Sequence, residues 1–189
     1  MIKSELRKVY LEKRKQLSEG ELAQLNLQLY NLFFSSVDLS FVKVLHCYLP
    51  LPKNKEPDTW MIIDRVRREF PQIKICIPRV EEDGNLENIY FEGLHQLQTT
   101  AWGIQEPKQG VITPSEKIDI VIVPLLVFDK TGQRVGYGKG YYDKFLMNCR
   151  IDCQKIGLSY FPPVERISDT YAGDVALTMC LEPGGPHHF

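Results

Sequence analysis

Residues 118–128 constrain the fold of this chain more than any other segment. They read Ile-Asp-Ile-Val-Ile-Val-Pro-Leu-Leu-Val-Phe and form the least polar run of the 189 residues. A strand that is apolar on both faces must be covered on both faces, which is typical of a parallel sheet flanked by helices. Pro124 cannot donate to a strand ladder, so it predicts a strand end or a kink at that point.

The rest of the chain alternates between helical and extended patterns. Residues 2–17 place apolar side chains on one helical face, with Lys3, Arg7 and Arg14 beside it. The Ser18-Glu19-Gly20-Glu21 capping box then starts a second helix. Further helices are predicted over 60–70 and 140–149, strands over 42–49, 73–77, 86–91, 155–160 and 175–181, and a loop-rich segment over 93–114. The alternation predicts an α/β fold with a mostly parallel central sheet and helices on both faces.

The length favours one domain. A chain of 189 residues with 43% hydrophobic side chains can bury one core and is short for two. We therefore expect a single α/β domain over 1–182 that begins with a helical hairpin over residues 2–36. The prolines and glycines of residues 183–189 predict a flexible tail.

A glycine-rich loop follows the apolar run and indicates the chemistry. It reads Arg134-Val135-Gly136-Tyr137-Gly138-Lys139-Gly140-Tyr141-Tyr142-Asp143 and opens the last predicted helix. Glycines at alternate positions let backbone N–H groups approach a polyphosphate, and Lys139 and Arg134 add positive charge. Asp143 is unfavourable beside an anion unless a divalent cation lies between them. The loop thus predicts a magnesium–nucleotide site.

Another interpretation of this loop stays open. Its spacing matches neither the P-loop nor the dinucleotide-binding pattern. Glycines after a strand also serve simply to turn the chain. Spacing alone therefore permits either a phosphate site or a structural turn.

The charge balance argues against macromolecular polyanions as partners. A net charge of −1 and a pI near 6.4 provide no general attraction to nucleic acid or to an anionic membrane. The chain begins with charged residues and contains no run of about 18 apolar residues. We expect a cytoplasmic protein, a monomer or weak homodimer, that acts on small molecules.

Cysteine and histidine patterns predict no metal centre. The cysteines lack paired spacing, and none of the four histidines has a partner at metal-ligand spacing. The thiols are expected to be reduced and mostly buried: Cys47, Cys76, Cys149, Cys153 and Cys180.

Taken together, several motifs resemble one family. Val123-Pro124, Phe128-Asp129, Gly132 and the glycine-rich loop closely resemble the signature of the 5-formyltetrahydrofolate cyclo-ligases, also called 5,10-methenyltetrahydrofolate synthetases. The resemblance extends in the same order over nearly the whole chain, through Lys3 and Arg7, Glu56 and Thr59, residues 102–107, and Asp169. Residues 161–163, Phe-Pro-Pro, depart from the family, in which many members carry a glutamine there, and the spacer over 50–55 is longer than in some members.

The resemblance implies a fold and a reaction. The fold is a three-layer α/β/α arrangement similar to the NagB/RpiA/CoA-transferase-like fold. The reaction uses ATP and Mg²⁺ to cyclise 5-formyltetrahydrofolate to 5,10-methenyltetrahydrofolate, with release of ADP and phosphate. Phosphorylation of the formyl oxygen activates the carbon, which N10 then attacks.

The resemblance also implies roles for individual residues. Lys139 and Arg134 are the expected catalytic residues, and Asp143 and Asp169 the expected Mg²⁺ ligands. The expected substrate-binding residues are Leu49, Glu56, Trp102 and Tyr141. The expected ATP-binding residues are Lys3, Arg7, Arg134, Gly136, Tyr137, Gly138, Lys139, Gly140, Tyr141 and Tyr142.

Structural explanations stand beside these roles. Tyr142 and Trp102 are equally compatible with a core, and Lys3 and Arg7 with a solvated helix face. Glu56 could cap its helix, although Pro57 favours Asp58 or Thr59 for that. Two other functions remain open, a non-catalytic folate or nucleotide binder and an enzyme of similar architecture that acts on a sugar phosphate or an acyl-CoA.

Overall fold

The structure is a computed structural model that describes residues 1–189. Its helices are α1 (Lys3–Gln16), α2 (Glu19–Ser36), α3 (Trp60–Glu69) and α4 (Tyr141–Leu146). Its strands are β1 (Val44–His46), β2 (Lys74–Val80), β3 (Leu86–Tyr90), β4 (Leu97–Thr99), β5 (Gln105–Pro107), β6 (Ile120–Val123), β7 (Val127–Phe128), β8 (Arg134–Val135), β9 (Gln154–Leu158), β10 (Met179–Glu182) and β11 (Gly185–His188). Short 3₁₀ turns cover Pro52–Asn54, Leu94–Gln96 and Ser115–Lys117. No helix combines the length and the apolar character that crossing a bilayer requires.

Seven strands form the central sheet, in the order β11-β10-β9-β6-β1-β2-β3. The five inner strands, β10, β9, β6, β1 and β2, pair in parallel, and only the two edge strands are antiparallel. Leu45 in β1 lies opposite Ile75 on one side and Ile120 on the other. The predicted mostly parallel sheet is confirmed.

Helices cover both faces of the sheet because strand side chains alternate between them. Leu45 and Ile75 face the larger core, which α2 and α3 close with Phe33 and Ile63. Their neighbours in sequence face the other side, where Val44, Cys76 and Val121 pack against Phe145 and Leu146 of α4. The result is three layers.

The first two helices belong to different parts of the molecule. The capping box of α2 forms as predicted, with Glu21 N donating to Ser18 Oγ at 3.2 Å and Ser18 N donating to Glu21 Oε2 at 2.7 Å. Helix α2 then packs on the sheet, whereas Leu6 and Tyr10 of α1 pack on Val127 and other residues of a separate cluster. This places the N-terminal turn of α1 next to the glycine-rich loop.

Pro124 ends a strand, as one of the two predictions for it states. The apolar run divides into β6, in the sheet, and β7, which pairs with β8 in a separate ribbon. The turn of this ribbon is held by the buried carboxylate of Asp129, which accepts from Thr131 N at 2.9 Å, Gln133 N at 3.1 Å and Ile167 N at 2.9 Å. The glycine-rich loop therefore departs from a well-anchored strand pair.

The expectation of a flexible tail over 183–189 is wrong. Residues Gly185–His188 form β11 and pair with β10, and Phe189 packs against Gly132. The turn between the strands is closed by Glu182, which accepts from Gly184 N at 2.8 Å and lies 2.9 Å from His187 Nε2. In this segment proline and glycine form a tight turn between two paired strands, and the segment is ordered.

Two other segments differ from their predicted form. The loop-rich residues 93–114 contain the β4–β5 hairpin, and the last helix is shorter than predicted. The cysteines agree with expectation, since all five are free thiols and only Cys149 is partly exposed.

Candidate functional site

The predicted site residues lie mainly beyond the carboxyl ends of the parallel strands, where open α/β sheets bind ligands. Leu49 and Glu56 both follow β1. The glycine-rich loop joins the same region through Tyr137, whose hydroxyl lies near enough to Glu56 that burial and this carboxylate together raise the pKa of the tyrosine. One edge of the sheet thus combines a buried carboxylate with a glycine-rich loop.

The loop takes a conformation that requires glycine at two positions. Gly138 has φ 91° and Gly140 has φ 72°, both in the left-handed region that L side chains rarely adopt. A Cβ on Gly138 would also lie 3.2 Å from Cζ of Arg7, whose Nε donates to the Gly136 carbonyl at 2.9 Å. Gly136 has open space around it and no such φ. The loop therefore wraps closely around the Arg7 guanidinium.

Arg134 forms an ion pair with Asp143. Its side chain is only 6% exposed, and its Nη2 lies 2.9 Å from Asp143 Oδ1. It also donates to the Val175 carbonyl, while Val175 N donates to the same Asp143 oxygen at 3.1 Å. The pair fastens the first turn of α4 to the segment before β10. Arg134 is the better neutralised of the two predicted catalytic cations.

Lys139, at the tip of the loop, is exposed and makes no hydrogen bond or ion pair. Tyr141 is half-buried and faces the β2–β3 turn, where a Cβ on Gly84 would lie 3.9 Å from its ring. Tyr142 points inward, with its hydroxyl 3.0 Å from His46 Nε2. It is therefore a core aromatic, one of the two interpretations of that residue.

The N-terminal basic pair reaches the same region from α1. Lys3 Nζ lies 2.5 Å from Asp174 Oδ2, and Lys3 N donates to Asp169 Oδ1 at 2.7 Å. Asp169 thus sits at the positive end of α1, where a carboxylate is stabilised. Lys3 and Arg7 face the same way, as their spacing predicts, but Lys3 already has an anionic partner.

Asp143 and Asp169 suit a magnesium ion that is shared with phosphate. Their hydrogen bonds use only Oδ1, so each keeps one carboxylate oxygen for another contact. Mg²⁺ usually takes one or two carboxylates and completes its shell with water and substrate phosphates. No group of three or more His, Cys, Asp or Glu residues that could hold a metal is present. The donor set fits a nucleotide-bound ion better than a metal held by protein alone.

Glu56 is a buried acceptor, 9% exposed. Its Oε2 accepts from Leu51 N at 2.7 Å. Burial raises the pKa of this carboxyl, while hydrogen bonds from Leu51 N and Tyr137 and the charge of Arg14 act against that shift. Asp58, not Glu56, accepts from the first N–H of α3, Trp60 N, at 3.1 Å. The capping explanation for Glu56 is therefore excluded, and Glu56 is available to bind ligand N–H groups.

Trp102 stands apart from this arrangement. It lies in the turn of the β4–β5 hairpin and is 79% exposed. Another predicted folate contact, Leu49, is buried next to Tyr48 in the main core. The structure therefore does not enclose Trp102 in a site, and it excludes Trp102 as a core residue.

Several residues of the site were not singled out by the motifs. Arg14 donates to the Tyr137 hydroxyl at 3.0 Å, and Asp174 binds Lys3. A signal for Arg14 exists, because it follows Arg7 by seven residues and so shares its helical face. His46 gives no such signal, since a lone histidine in a buried strand is compatible with ordinary packing.

Comparison with known proteins identifies the family to which the chain is similar. The model of the 5-formyltetrahydrofolate cyclo-ligase family matches residues 1–162. The 5-formyltetrahydrofolate cyclo-ligases of Mycoplasma genitalium and Mycoplasma pneumoniae are 28% and 30% identical to this chain, over 94% and 96% of its length and 97% and 98% of theirs. A solution structure of the Aquifex aeolicus 5,10-methenyltetrahydrofolate synthetase superimposes with a TM-score of 0.84 at 29% identity, covering 100% of this chain and 93% of that one.

Proposed function

Because this chain belongs to the 5-formyltetrahydrofolate cyclo-ligase family, we propose that it converts 5-formyltetrahydrofolate and ATP to 5,10-methenyltetrahydrofolate, ADP and phosphate. The observation that best supports this reaction in the structure is the proximity of Tyr137, in the glycine-rich loop, to the buried carboxylate of Glu56. It brings a candidate phosphate-binding loop and a buried acceptor for pterin N–H groups into one site. A nucleotide and a folate could then meet there.

The reaction needs ATP because the formyl oxygen is a poor leaving group. That oxygen attacks the γ-phosphorus and ADP departs. The N10 lone pair then attacks the activated formyl carbon, the carbon–oxygen bond breaks, and phosphate leaves with the oxygen. N10 loses its proton, and the new five-membered ring carries the positive charge. Positioning and charge neutralisation dominate catalysis of such transfers.

The residues around the glycine-rich loop are assigned to the nucleotide. Lys139 is exposed and without a partner, so it is free to bind the transferring phosphoryl group. Arg7 supports the loop through the Gly136 carbonyl. Lys3 lies one helical turn earlier and is assigned to the same nucleotide, with Asp174 offsetting its charge until ATP binds. Backbone N–H groups of 136–142 complete the phosphate contacts.

Asp143 and Asp169 are assigned to Mg²⁺ on the basis of their free carboxylate oxygens. The ion, when bound, would neutralise charge on the phosphates of ATP. Arg134 pairs with Asp143, so a cation at that carboxylate would release the guanidinium for the transferring group. This reconciles the proposed catalytic role of Arg134 with its ion pair to Asp143.

Glu56, Leu49, Tyr141 and Trp102 are assigned to the folate. Glu56 would accept hydrogen bonds from the pterin N–H groups, and Leu49 and Tyr141 would contact the fused ring. Trp102 is exposed on a hairpin, so its contact with the ring requires that hairpin to close over bound substrate.

The test is the near-ultraviolet absorbance of the methenyl product, followed with 5-formyltetrahydrofolate in the presence and absence of MgATP. Lys139→Ala should lower kcat by roughly 10²-fold or more if Lys139 stabilises the transferring charge. Lys144→Ala, an exposed lysine in α4, is the matched control and should retain activity. Absence of ATP-dependent turnover in the folded wild type would contradict the proposed enzymatic activity. Binding of the folate without turnover would favour a non-catalytic binder.

A further inference from the structure

The residue directly before Glu56 has a strained backbone conformation. Lys55 has φ 46° and ψ 49°, in the left-handed region, and it is the only residue other than glycine with a positive φ. Lysine has neither the missing Cβ of glycine nor the short polar side chain of asparagine, the features that make this conformation less costly. Strain of this kind persists where surrounding contacts impose it, and such residues are concentrated at ligand sites.

The side chain of Lys55 supplies the contacts that impose this conformation. Its Nζ donates to the Lys15 carbonyl at 2.7 Å and to the Leu17 carbonyl at 2.6 Å, where α1 ends. The last carbonyls of a helix have no partner within it and carry partial negative charge, which an ammonium group stabilises. Glycine would relieve the backbone strain at this position but would leave both carbonyls without this donor. The lysine therefore ties the strained turn to the end of α1.

The same turn holds the carboxylate of Glu56. Leu51 N donates to Glu56 Oε2 at 2.7 Å, so the side chain of the last residue of the turn returns to the first. Inside this closed turn, Asn54 N donates to the Leu51 carbonyl at 3.1 Å and Lys55 N donates to the Pro52 carbonyl at 3.0 Å. The left-handed residue ends the 3₁₀ turn and reverses the chain at the position before Glu56. The direction of the carboxylate thus depends on the conformation of Lys55.

We infer that Lys55 is a positioning residue of the folate site, whose ammonium group, bound to the last carbonyls of α1, fixes the turn over residues 51–56 that orients the Glu56 carboxylate as an acceptor for substrate N–H groups. The inference rests on the proposed function, in which Glu56 binds the pterin. Lys55 does not touch the substrate in this role. Helix α1 then supports both halves of the site, since Arg7 near its other end donates to the Gly136 carbonyl of the glycine-rich loop.

The experiment compares Lys55→Gly, Lys55→Met and Lys55→Arg with the wild type. Lys55→Gly and Lys55→Met both remove the ammonium group and should raise KM for 5-formyltetrahydrofolate about tenfold or more, because Glu56 is no longer held in one orientation. KM for ATP should change much less. Lys55→Arg, which can still donate to the two carbonyls, should restore part of the loss. Lys53→Met, at an exposed lysine of the same turn, is the matched control and should keep the wild-type KM.

A comparison of melting temperatures separates positioning from stability. Lys55→Gly should melt at a higher temperature than Lys55→Met, because glycine adopts the left-handed conformation without strain. If Lys55 served only stability, Lys55→Gly would also have a KM for the folate closer to the wild type. The positioning role requires both variants to lose affinity for the folate alike. Lys55→Gly carries the test if Lys55→Met does not fold.

The dependence on Glu56 is tested by a double variant. Adding Lys55→Gly to Glu56→Gln should raise KM for the folate little further, as expected for two residues that act through one contact with the substrate. An unchanged KM for the folate in folded Lys55→Gly, or independent effects of the two substitutions, would overturn the inference.

Failure of the proposed function is measured separately, in the wild type. If the wild type lacks ATP-dependent turnover, the proposed reaction is wrong, and calorimetry with 5-formyltetrahydrofolate then tests the role of Lys55. Weaker binding by Lys55→Gly than by the wild type and Lys53→Met would support the positioning role. Equal binding, or none by any form, would overturn it.

Discussion

The Tyr142 hydroxyl donates a hydrogen bond to Nε2 of His46, 3.0 Å away. On the other side of the ring, Nδ1 lies 2.5 Å from Asn88 Oδ1, an oxygen that can only accept. Nδ1 therefore carries the proton and Nε2 is the acceptor. This bond ties the first turn of α4, directly after the glycine-rich loop, to strand β1 in the middle of the sheet. It also requires a neutral imidazole.

The first prediction follows from that neutral histidine. Burial lowers the pKa of His46 to about 4, from 6.5 in an unfolded chain. Between these values the unfolded state binds the proton first, so the contribution is complete above about pH 6.5 and is lost as the pH falls toward 4. The loss amounts to about 3 kcal/mol. Urea unfolding between pH 7.5 and 4.5 should show it in the wild type.

His46→Gln removes the proton uptake and should flatten this pH dependence, even though it lowers stability overall. His95→Gln, at an exposed histidine, should leave the wild-type slope unchanged. Equal slopes for the wild type and His46→Gln would show that His46 does not titrate in this way.

The second prediction concerns the pair Arg134 and Asp143. Arg134→Met leaves a partly buried carboxylate without its cation and should destabilise the fold by about 2–3 kcal/mol. Adding Asp143→Asn should recover part of this loss, because the uncompensated charge is removed. Lys130→Met, in a solvent-exposed pair with Glu165, is the control and should leave the unfolding midpoint almost unchanged. Additive effects of the two substitutions would argue against a coupled pair.

The third prediction concerns the ionisation of Glu56. Burial raises the pKa of this carboxyl in the folded state, so its contribution to stability is present below the unfolded value of 4.5 and is lost as the pH rises through the folded value. Glu56→Gln removes that loss. The melting temperature of Glu56→Gln relative to the wild type should therefore increase from pH 4 to pH 7, while folate binding weakens. A constant difference across this range would contradict the burial of an ionised Glu56.

Much of the architecture is predictable from local patterns. The apolar run 118–128 demands cover on both faces, and the structure places β6 at the centre of the sheet, broken at Pro124. The Ser18-to-Glu21 capping box works at short range and forms as predicted. These features depend on periodicity and on the chemistry of neighbouring residues, which a single sequence displays.

The buried part of the site, where Arg14 contacts Tyr137, depends on residues that are far apart in the sequence. Arg14 and Tyr137 are 123 positions apart. No local sequence pattern predicts that the tyrosine of the glycine-rich loop contacts an arginine of α1. Strand β11 could not be predicted from local sequence either. Its composition is typical of disorder, but its pairing with β10 and the contact of Phe189 with Gly132 order it. Tertiary partners decided both outcomes.

The fourth prediction separates the two interpretations of the glycine-rich loop. Gly138→Ala places a side chain at φ 91° and 3.2 Å from Arg7 Cζ, so it should destabilise the fold by about 1–2 kcal/mol and displace the guanidinium from the Gly136 carbonyl. Gly136→Ala meets no atom within 4 Å and should fold as well as the wild type, so it is the matched variant. If phosphate approaches the bare backbone there, Gly136→Ala should raise KM for ATP about tenfold with an unchanged melting temperature, because the methyl group blocks the anion. If Gly136→Ala keeps the wild-type KM for ATP, the glycines serve only to turn the chain, and the interpretation as a phosphate site is wrong.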